Sequence, residues 1–519
     1  MKWLLTFASV ASLTAFAADF DLLITNARIA DGTGAPLVSG SVAIKDRRVV
    51  AVGEVKGSAD AQIDAHGSVV APGFIDVHTH SEDICKLPVA ENFLRMGVTT
   101  IITGNCGGSR TDVAQFFKEI EDARVAVNVA TLIGHNSVRE KAMGGSFIRA
   151  PDAVQLEAMK AMVDQAMKDG AVGLSTGLIY VPGSFAKTEE IIELAKVAAA
   201  HGGIYASHMR AETVKIFSAL EELIRIAREA KIRAEVSHLK LTGPTAWGKA
   251  AEVLAILDKA RADGLSITHD DYAYTASSTG LAQLIPDEAR EGRREDFIAR
   301  VADPAKRAGI VAKMNENRER QGRADYGYAV IAKFKADPSL NGKSIPEAAK
   351  IVRGSDSLAD QIELILDIEA RGGGSAIYHG MNEEDLRAFV RHPLTMIASD
   401  GGPRRFGEDV PHPRSYGNNA RVLGHYVRDE KVLTLEDAIR KMTSLPATVF
   451  QLKDRGVIQN GAWADIVIFD PARVNDPSTF DDPHHYAEGF TDVIVNGGVV
   501  IRDSALTEVR SGGPLRMER

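Results

Sequence analysis

The sequence predicts an α/β fold: a TIM-like (β/α)8 barrel, a small β-sandwich domain built from both termini, and an insertion between strands 7 and 8. Three observations predict it. The middle of the chain alternates short apolar runs with helical patterns, eight times over. Both ends carry short apolar runs separated by Gly and Asp turns. About 120 residues separate the seventh run from the eighth, too many for a simple connection.

The N-terminal sheet pieces begin with Asp21-Leu-Leu-Ile-Thr-Asn-Ala-Arg-Ile, Gly40-Ser-Val-Ala-Ile and Val49-Val-Ala-Val-Gly. Their counterparts at the far end are Ala464-Asp-Ile-Val-Ile-Phe-Asp and Asp492-Val-Ile-Val-Asn-Gly-Gly-Val-Val-Ile. The eight barrel strands are expected at Phe74–Val77, Thr99–Thr103, Val127–Ile133, Val172–Ser175, Ile204–Ala206, Ala234–Ser237, Ser266–Asp270 and Thr395–Ser399. Helical patterns between them cover Asp152–Lys168, Thr188–His201, Glu212–Ala230 and Ala250–Asp263, the last stopped by Gly264. The long gap is charged and helical over Asp287–Arg320, which places an inserted subdomain at about residues 285–345. The expected organisation is residues 18–72 and 446–519 for the small β domain and 73–445 for the barrel.

Composition limits the function classes. The 519 residues are 45% hydrophobic and 25% charged, which is ordinary for a globular protein. The net charge of −9 and the lack of a basic patch argue against nucleic acid as a partner. Residues 1–17 read as a signal peptide: Lys2, an apolar run from Trp3 to Phe16, then the small-x-small pattern Ala15-Phe16-Ala17. The run is short for a membrane span, and no later stretch resembles one, so no membrane partner is expected once the leader is cleaved. The mature protein is expected in the periplasm or outside the cell.

Polar residues close several strands, where barrel enzymes keep their chemistry. His78 and His80 end the first strand, and a two-residue spacing puts both rings on one face. Cys106 ends the second strand in Thr103-Gly-Asn-Cys-Gly, where a thiolate could ligate zinc. An inert buried thiol, or a bridge to Cys85, the other of the two cysteines, would explain Cys106 equally well on its own. His208 ends the fifth strand, His238 the sixth and Asp400 the eighth. Five N/S donors and a carboxylate on strand ends are hard to explain as packing. Gly173-Leu-Ser175-Thr-Gly177 matches the nucleophile-elbow pattern, but Leu178-Ile-Tyr-Val-Pro182-Gly183 is no helix start, so Ser175 is not expected to be a nucleophile.

The order His-x-His, single His on strands five and six, then Asp on strand eight resembles the amidohydrolase superfamily. HTHSEDICKLPVAENFLRMGVTTIITGNCGGS is more specific, and it resembles the N-acyl-D-amino-acid deacylase (D-aminoacylase) family. GLSTGLIYVPG, YASHMR, VSHLK, YTASSTG, ASDGGP, HPRSYG and GVIQNGAWADIVIFDP agree with it, over nearly the whole chain after the leader. The resemblance implies that Cys106, His208 and His238 hold a tight zinc ion, and that His78 and His80 belong to a weaker second site sharing Cys106. It makes Asp400 the general acid/base, and Tyr180, Lys240 and Ser277 the contacts to a substrate carboxylate. It gives Glu82 no function. The implied substrate is a small molecule, an N-acyl-D-amino acid or a D-configured dipeptide. A cyclic-amide hydrolase or deaminase of the same superfamily is the alternative, as is a non-catalytic zinc-binding protein. If the leader is removed, N-terminal sequencing of protein from its native host should begin at Ala18 or close to it; an intact Met1 would refute the export reading.

Overall fold

The computed structural model describes residues 18–518; the expected leader, residues 1–17, lies outside the described residues. Eight parallel strand positions follow one another around a barrel: Phe74–Asp76, Val98–Thr103, Asn128–Thr131 continued by Ile133–Gly134, Gly173–Gly177, Ile204–His208, Arg233–Val236, Ile267–Asp271 and Thr395–Ile397. The ring closes between first and last strands through a parallel bridge of Thr79 with Gly401 and an Asp400 N–H bond to the His78 carbonyl at 2.9 Å. The buried Asp76 carboxylate adds a second clasp, accepting from the backbone N–H of His78 and of Ser399. Burial pushes the Asp76 carboxyl up to about 6 despite those donors.

Helices Ala153–Lys168, Thr188–Ala200, Ile216–Ala230 and Ala250–Ala262 pack outside the strands. The first starts at a reciprocal cap between Asp152 and Gln155. Ile216–Ala230 buries Ala219, Leu220, Leu223, Ile226, Ala227 and Ala230, a stripe at helical spacing. Its start differs from the expected Glu212: residues before Ile216 stay in a turn, because the Glu212 carboxylate is drawn inward to Lys240 at 2.6 Å. The third strand also differs: it is interrupted at Leu132, where its pairing passes from the second strand, through the Leu132 N–H to the Thr103 carbonyl, to the fourth strand at Ile133.

Both ends of the chain form one nine-stranded sheet. Val69–Pro72 runs antiparallel to Ile466–Phe469, with Pro72 opposite Ile466. Phe20–Ile29 bulges between Ile24 and Ala27, so its first half pairs with Ala59–Asp64 and its last residues with Val69-Val70. The sheet thereby folds over a core containing Leu22, Ile24, Val42, Ile63, Ile466 and Ile494. Asp465 locks this domain to the floor of the barrel. It is 5% exposed, and its carboxylate takes the Arg455 guanidinium, the Asn128 amide and the Asn496 N–H.

The insertion is larger than residues 285–345. Ala276–Gly280, Ser375–His379 and Ala329–Lys333 form a separate antiparallel sheet with Ser375–His379 in the centre. Its own core runs from Leu281 to Tyr378 and includes Phe297, Met314, Ile345 and Leu366. The charged helical stretch is the part that shows in the sequence; the central strand comes after two further helices, Ile345–Arg353 and Leu358–Ala370.

Replacing Asp465 by Ala strands the buried Arg455 charge. Breaking a buried pair in this way costs about 3–5 kcal/mol, so denaturant unfolding of Asp465→Ala should show a loss of that order. A loss below about 1 kcal/mol would show that the seam does not depend on this carboxylate.

Candidate active site and metal centre

Six of the expected side chains meet at the C-terminal mouth of the barrel. The strands deliver them, and unusual backbone turns aim them: Cys106, His238 and Asp400 have φ of 52°, 37° and 49°. Such left-handed conformations in non-glycine residues are held only where the surroundings fix them. Around Cys106 the neighbours are glycines because nothing else fits. A Cβ on Gly104 would lie 2.2 Å from the Leu132 carbonyl oxygen, and one on Gly107 2.1 Å from Asn136 Oδ1.

Ser175 and Glu82 brace the same loop. The Ser175 hydroxyl donates to the Gly104 carbonyl at 2.5 Å and accepts from the Gly107 N–H at 3.1 Å. It is fully buried, so it holds the thiol's loop and attacks nothing. Glu82 Oε1 accepts from the Thr103 hydroxyl and the Gly104 N–H. The sequence pattern carries no role for Glu82; its contribution is structural and one step removed from the donors.

Three imidazoles converge on the Cys106 sulfur. His78 Nε2 lies 3.2 Å from it, His238 Nε2 3.5 Å and His208 Nδ1 3.6 Å. Zinc bonds of about 2.3 Å to sulfur and 2.0–2.1 Å to nitrogen, arranged tetrahedrally, separate the two kinds of donor by roughly 3.5 Å. The donor atoms of His78, Cys106 and His238 all lie within 4.8 Å of one another and fit a zinc ion, while His208 forms a group with Glu212 and His238. The far nitrogen of each ring faces a carboxylate: His78 Nδ1 faces Asp270 at 3.3 Å, while His208 Nε2 and His238 Nδ1 face Glu212 at 3.3 and 3.4 Å. Carboxylates in that position orient metal-ligating rings and raise their basicity. Burial, reinforced by neighbouring positive groups such as Lys240, pushes His208 and His238 well below the usual imidazole range, so both are neutral and able to ligate. Burial pushes the Cys106 thiol well above its ordinary value, so a bound cation has to supply the charge that makes it a thiolate. No disulfide competes, since Cys85 and Cys106 are both free.

A second group combines His78, His80 and Asp400. Asp400 Oδ1 lies 3.1 Å from His80 Nε2 and 3.7 Å from His78 Nε2. His78 is the ring common to both groups. The other carboxylate oxygen of Asp400 pairs with Arg414 Nη1 at 2.9 Å. Burial works against the Asp400 charge, but the Arg414 guanidinium and His80 outweigh it and hold the carboxyl well below its usual range. Arg414 is 3% exposed and lies over the Tyr272 ring, 4.5 Å from its centroid. It sits in the HPRSYG stretch, but its contact with Asp400 joins two residues that adjacent sequence does not link.

A cavity of about 170 Å³ opens beside these groups, and Tyr180, Lys240 and Ser277 line it together with Asp400, His208 and His238. The Tyr180 hydroxyl accepts from Thr279 Oγ1 at 3.1 Å, and its ring meets His208 edge-on. Lys240 is not a free cation: Nζ lies 2.6 Å from Glu212, 2.7 Å from His238 Nδ1, and donates to the His238 carbonyl. Asp270, Glu212 and Arg414 are the polar partners that sequence patterns did not single out.

The amidohydrolase family model matches residues 61–501. A D-aminoacylase of Alcaligenes xylosoxydans xylosoxydans is 35% identical over 518 residues, covering 95% of this chain and 97% of its own. A crystal structure of N-acyl-D-glutamate deacylase from Bordetella bronchiseptica, complexed with zinc and a phosphonate mimic of the tetrahedral intermediate, superposes with a TM-score of 0.82 at 33% identity, covering 96% of this chain and 99% of that one. A D-aminoacylase structure described as having a binuclear metal centre gives 0.81 at 33% identity, over 96% and 99% of the two chains. The chain belongs to the amidohydrolase family, and within it to the D-aminoacylases.

Proposed function

We propose that the protein is an exported, zinc-dependent deacylase that hydrolyses the amide bond of an N-acyl-D-amino acid or a D-configured dipeptide. The observation that carries this reading is the three-ring cluster on Cys106, with the Asp400–Arg414 pair beside it, at a cavity that Tyr180, Lys240 and Ser277 line. Support for export is the leader pattern at residues 1–17.

Cys106, His208 and His238 would hold the tight ion; His78 and His80, grouped with Asp400, would form the weaker second site. When bound, zinc polarises the amide carbonyl and makes water a better nucleophile at neutral pH. The protein's own groups do the rest. Asp400, kept ionised by Arg414, takes a proton from the attacking water as oxygen bonds to the carbonyl carbon. It returns that proton to the amide nitrogen as the C–N bond breaks, releasing a carboxylic acid and the free amine. No side chain is acylated. Arg414 fixes the Asp400 plane through one oxygen and leaves the other facing the donor cluster. Tyr180, Lys240 and Ser277 hold the carboxylate of the amino acid, which orients the scissile bond. Glu212 fixes the Lys240 ammonium in place, at the cost of part of its charge.

A panel of N-acyl-D- and N-acyl-L-amino acids and dipeptides, followed by amine release, tests the reading; turnover favouring the D substrates is expected. Cys106→Ser should lose zinc and activity, whereas Cys85→Ser should keep both. Asp400→Asn should retain near-normal zinc content yet lose about 10²–10⁴-fold in kcat. Full zinc occupancy in Cys106→Ser, or Asp400→Asn within a few-fold of wild type, would remove the corresponding assignment.

Lys240→Met should lower kcat/KM roughly 10–100-fold on a free-acid substrate, and much less on the same substrate with its carboxylate amidated. Equal losses on both would show that Lys240 does not read the carboxylate. Zinc content is the control, because Nζ also touches His238.

A further inference from the structure

The His412 imidazole is 2% exposed and takes no part in the proton transfer or the ion cluster. Both of its nitrogens are engaged. Nδ1 lies 3.0 Å from the Arg414 backbone nitrogen, and Nε2 lies 2.9 Å from the Ala276 carbonyl oxygen. A backbone N–H can only donate and a carbonyl can only accept, so the ring is neutral with its proton on Nε2. Burial, with the Arg414 guanidinium nearby, holds the imidazole well below its ordinary range and keeps it uncharged. The rings of Tyr274 and Phe480 meet it edge-on, with centroids 5.2 and 5.1 Å away. The two bonded partners belong to different arms of the site. Arg414 opens the helix Arg414–Arg421 and carries the guanidinium that pairs with Asp400. The Ala276 carbonyl belongs to the peptide that leads into Ser277, at the start of the strand Ala276–Gly280 and 136 residues away in the chain. Two atoms of one rigid ring therefore set the spacing between the Arg414 backbone and the Ser277 backbone.

We propose that His412 is a positioning residue that couples proton transfer to substrate binding: through Nδ1 it fixes the backbone that aims Arg414 at Asp400, and through Nε2 it fixes the peptide that presents Ser277 to the substrate carboxylate. This rests on the deacylase reading, which gives Asp400 and Ser277 those tasks. The ring touches neither the substrate nor the ion cluster. Its two bonds act on different kinetic quantities. An Asp400 held out of line by a shifted Arg414 slows the chemical step and lowers kcat. A displaced Ser277 weakens the hold on the carboxylate in ground and transition state alike, which raises KM.

Three substitutions separate the two bonds. His412→Asn keeps an acceptor for the N–H two residues on, as Asn does in turns, but is too short to reach Ala276. His412→Gln carries its amide N–H to the place of Nε2 and gives up the bond to Arg414. His412→Phe keeps the packing on Tyr274 and Phe480 and makes neither bond. The readouts are kcat and KM on the N-acetyl-D-amino acid that wild type turns over fastest and on its carboxamide, with zinc content and thermal unfolding alongside. His412→Asn should raise KM roughly 3–10-fold with little change in kcat, and His412→Gln should lower kcat roughly 3–10-fold with little change in KM. His412→Phe should show both effects. On the carboxamide the His412→Asn effect should fade and the His412→Gln effect persist. Asn and Gln variants that move kcat and KM by the same factors overturn the coupling, as do wild-type kinetics in His412→Phe. Loss of zinc or of cooperative unfolding in all three variants assigns the ring to folding and overturns it too. If wild type releases no amine from any N-acyl-D-amino acid, the deacylase reading itself fails and takes the coupling with it. Wild-type turnover with variants that do not split overturns the coupling alone.

Discussion

The Cys106 sulfur is the point on which rings from the first, fifth and sixth strands converge, and the convergence constrains much of the surrounding backbone. To put the thiol there, residue 106 adopts a left-handed turn, with Gly104 and Gly107 near it at positions that admit no side chain. Ser175 and Glu82 spend their polar atoms holding that turn. Asp270 bonds the outward-facing nitrogen of His78, and Glu212 faces those of His208 and His238. The cost is a buried and highly charged barrel mouth. It is tolerable because the charges nearest the rings are paired, Lys240 with Glu212 and Asp400 with Arg414.

The strand ends were legible because barrel topology turns position in sequence into position in space. A His, Cys or Asp closing an apolar run lands at the same rim as every other residue that does so. His78, His80, Cys106, His208, His238 and Asp400 all meet this condition. The residues that orient them do not. Glu212 stands where a helical pattern hides it, and only the pull of Lys240 and the imidazoles takes it out of the helix. Arg414 reaches Asp400 from a separate helix, Arg414–Arg421, and Asp270 reaches His78 across 192 residues of chain. Contacts of this kind have no periodicity to read. The inserted subdomain was legible as an excess of chain, but its extent was not, because its central strand Ser375–His379 lies beyond the charged stretch that announced it.

The inserted sheet and the barrel divide the cavity between them. The barrel supplies groups for proton transfer and ion binding, all rigidly paired, while the insertion supplies Tyr328, Tyr378 and Arg323 on a separate hydrophobic core. Chemistry and selectivity therefore sit on different folding units. Substitutions on the outer wall can change which molecule fits without disturbing the orientation of Asp400 or the rings.

The sheet shared by the two ends of the chain has a consequence for biosynthesis. Val69–Pro72 is a central strand, fully buried once Ile466–Phe469 pairs with it. A ribosome makes that partner about 400 residues later, which at about 5–20 residues per second leaves an apolar strand edge open for on the order of 20–80 s. For that interval the nascent chain presents an unpaired edge of the kind that recruits other strands. The last tenth of the polypeptide closes it, so a chain cut short before residue 466 retains a complete set of metal donors but an open hydrophobic flank.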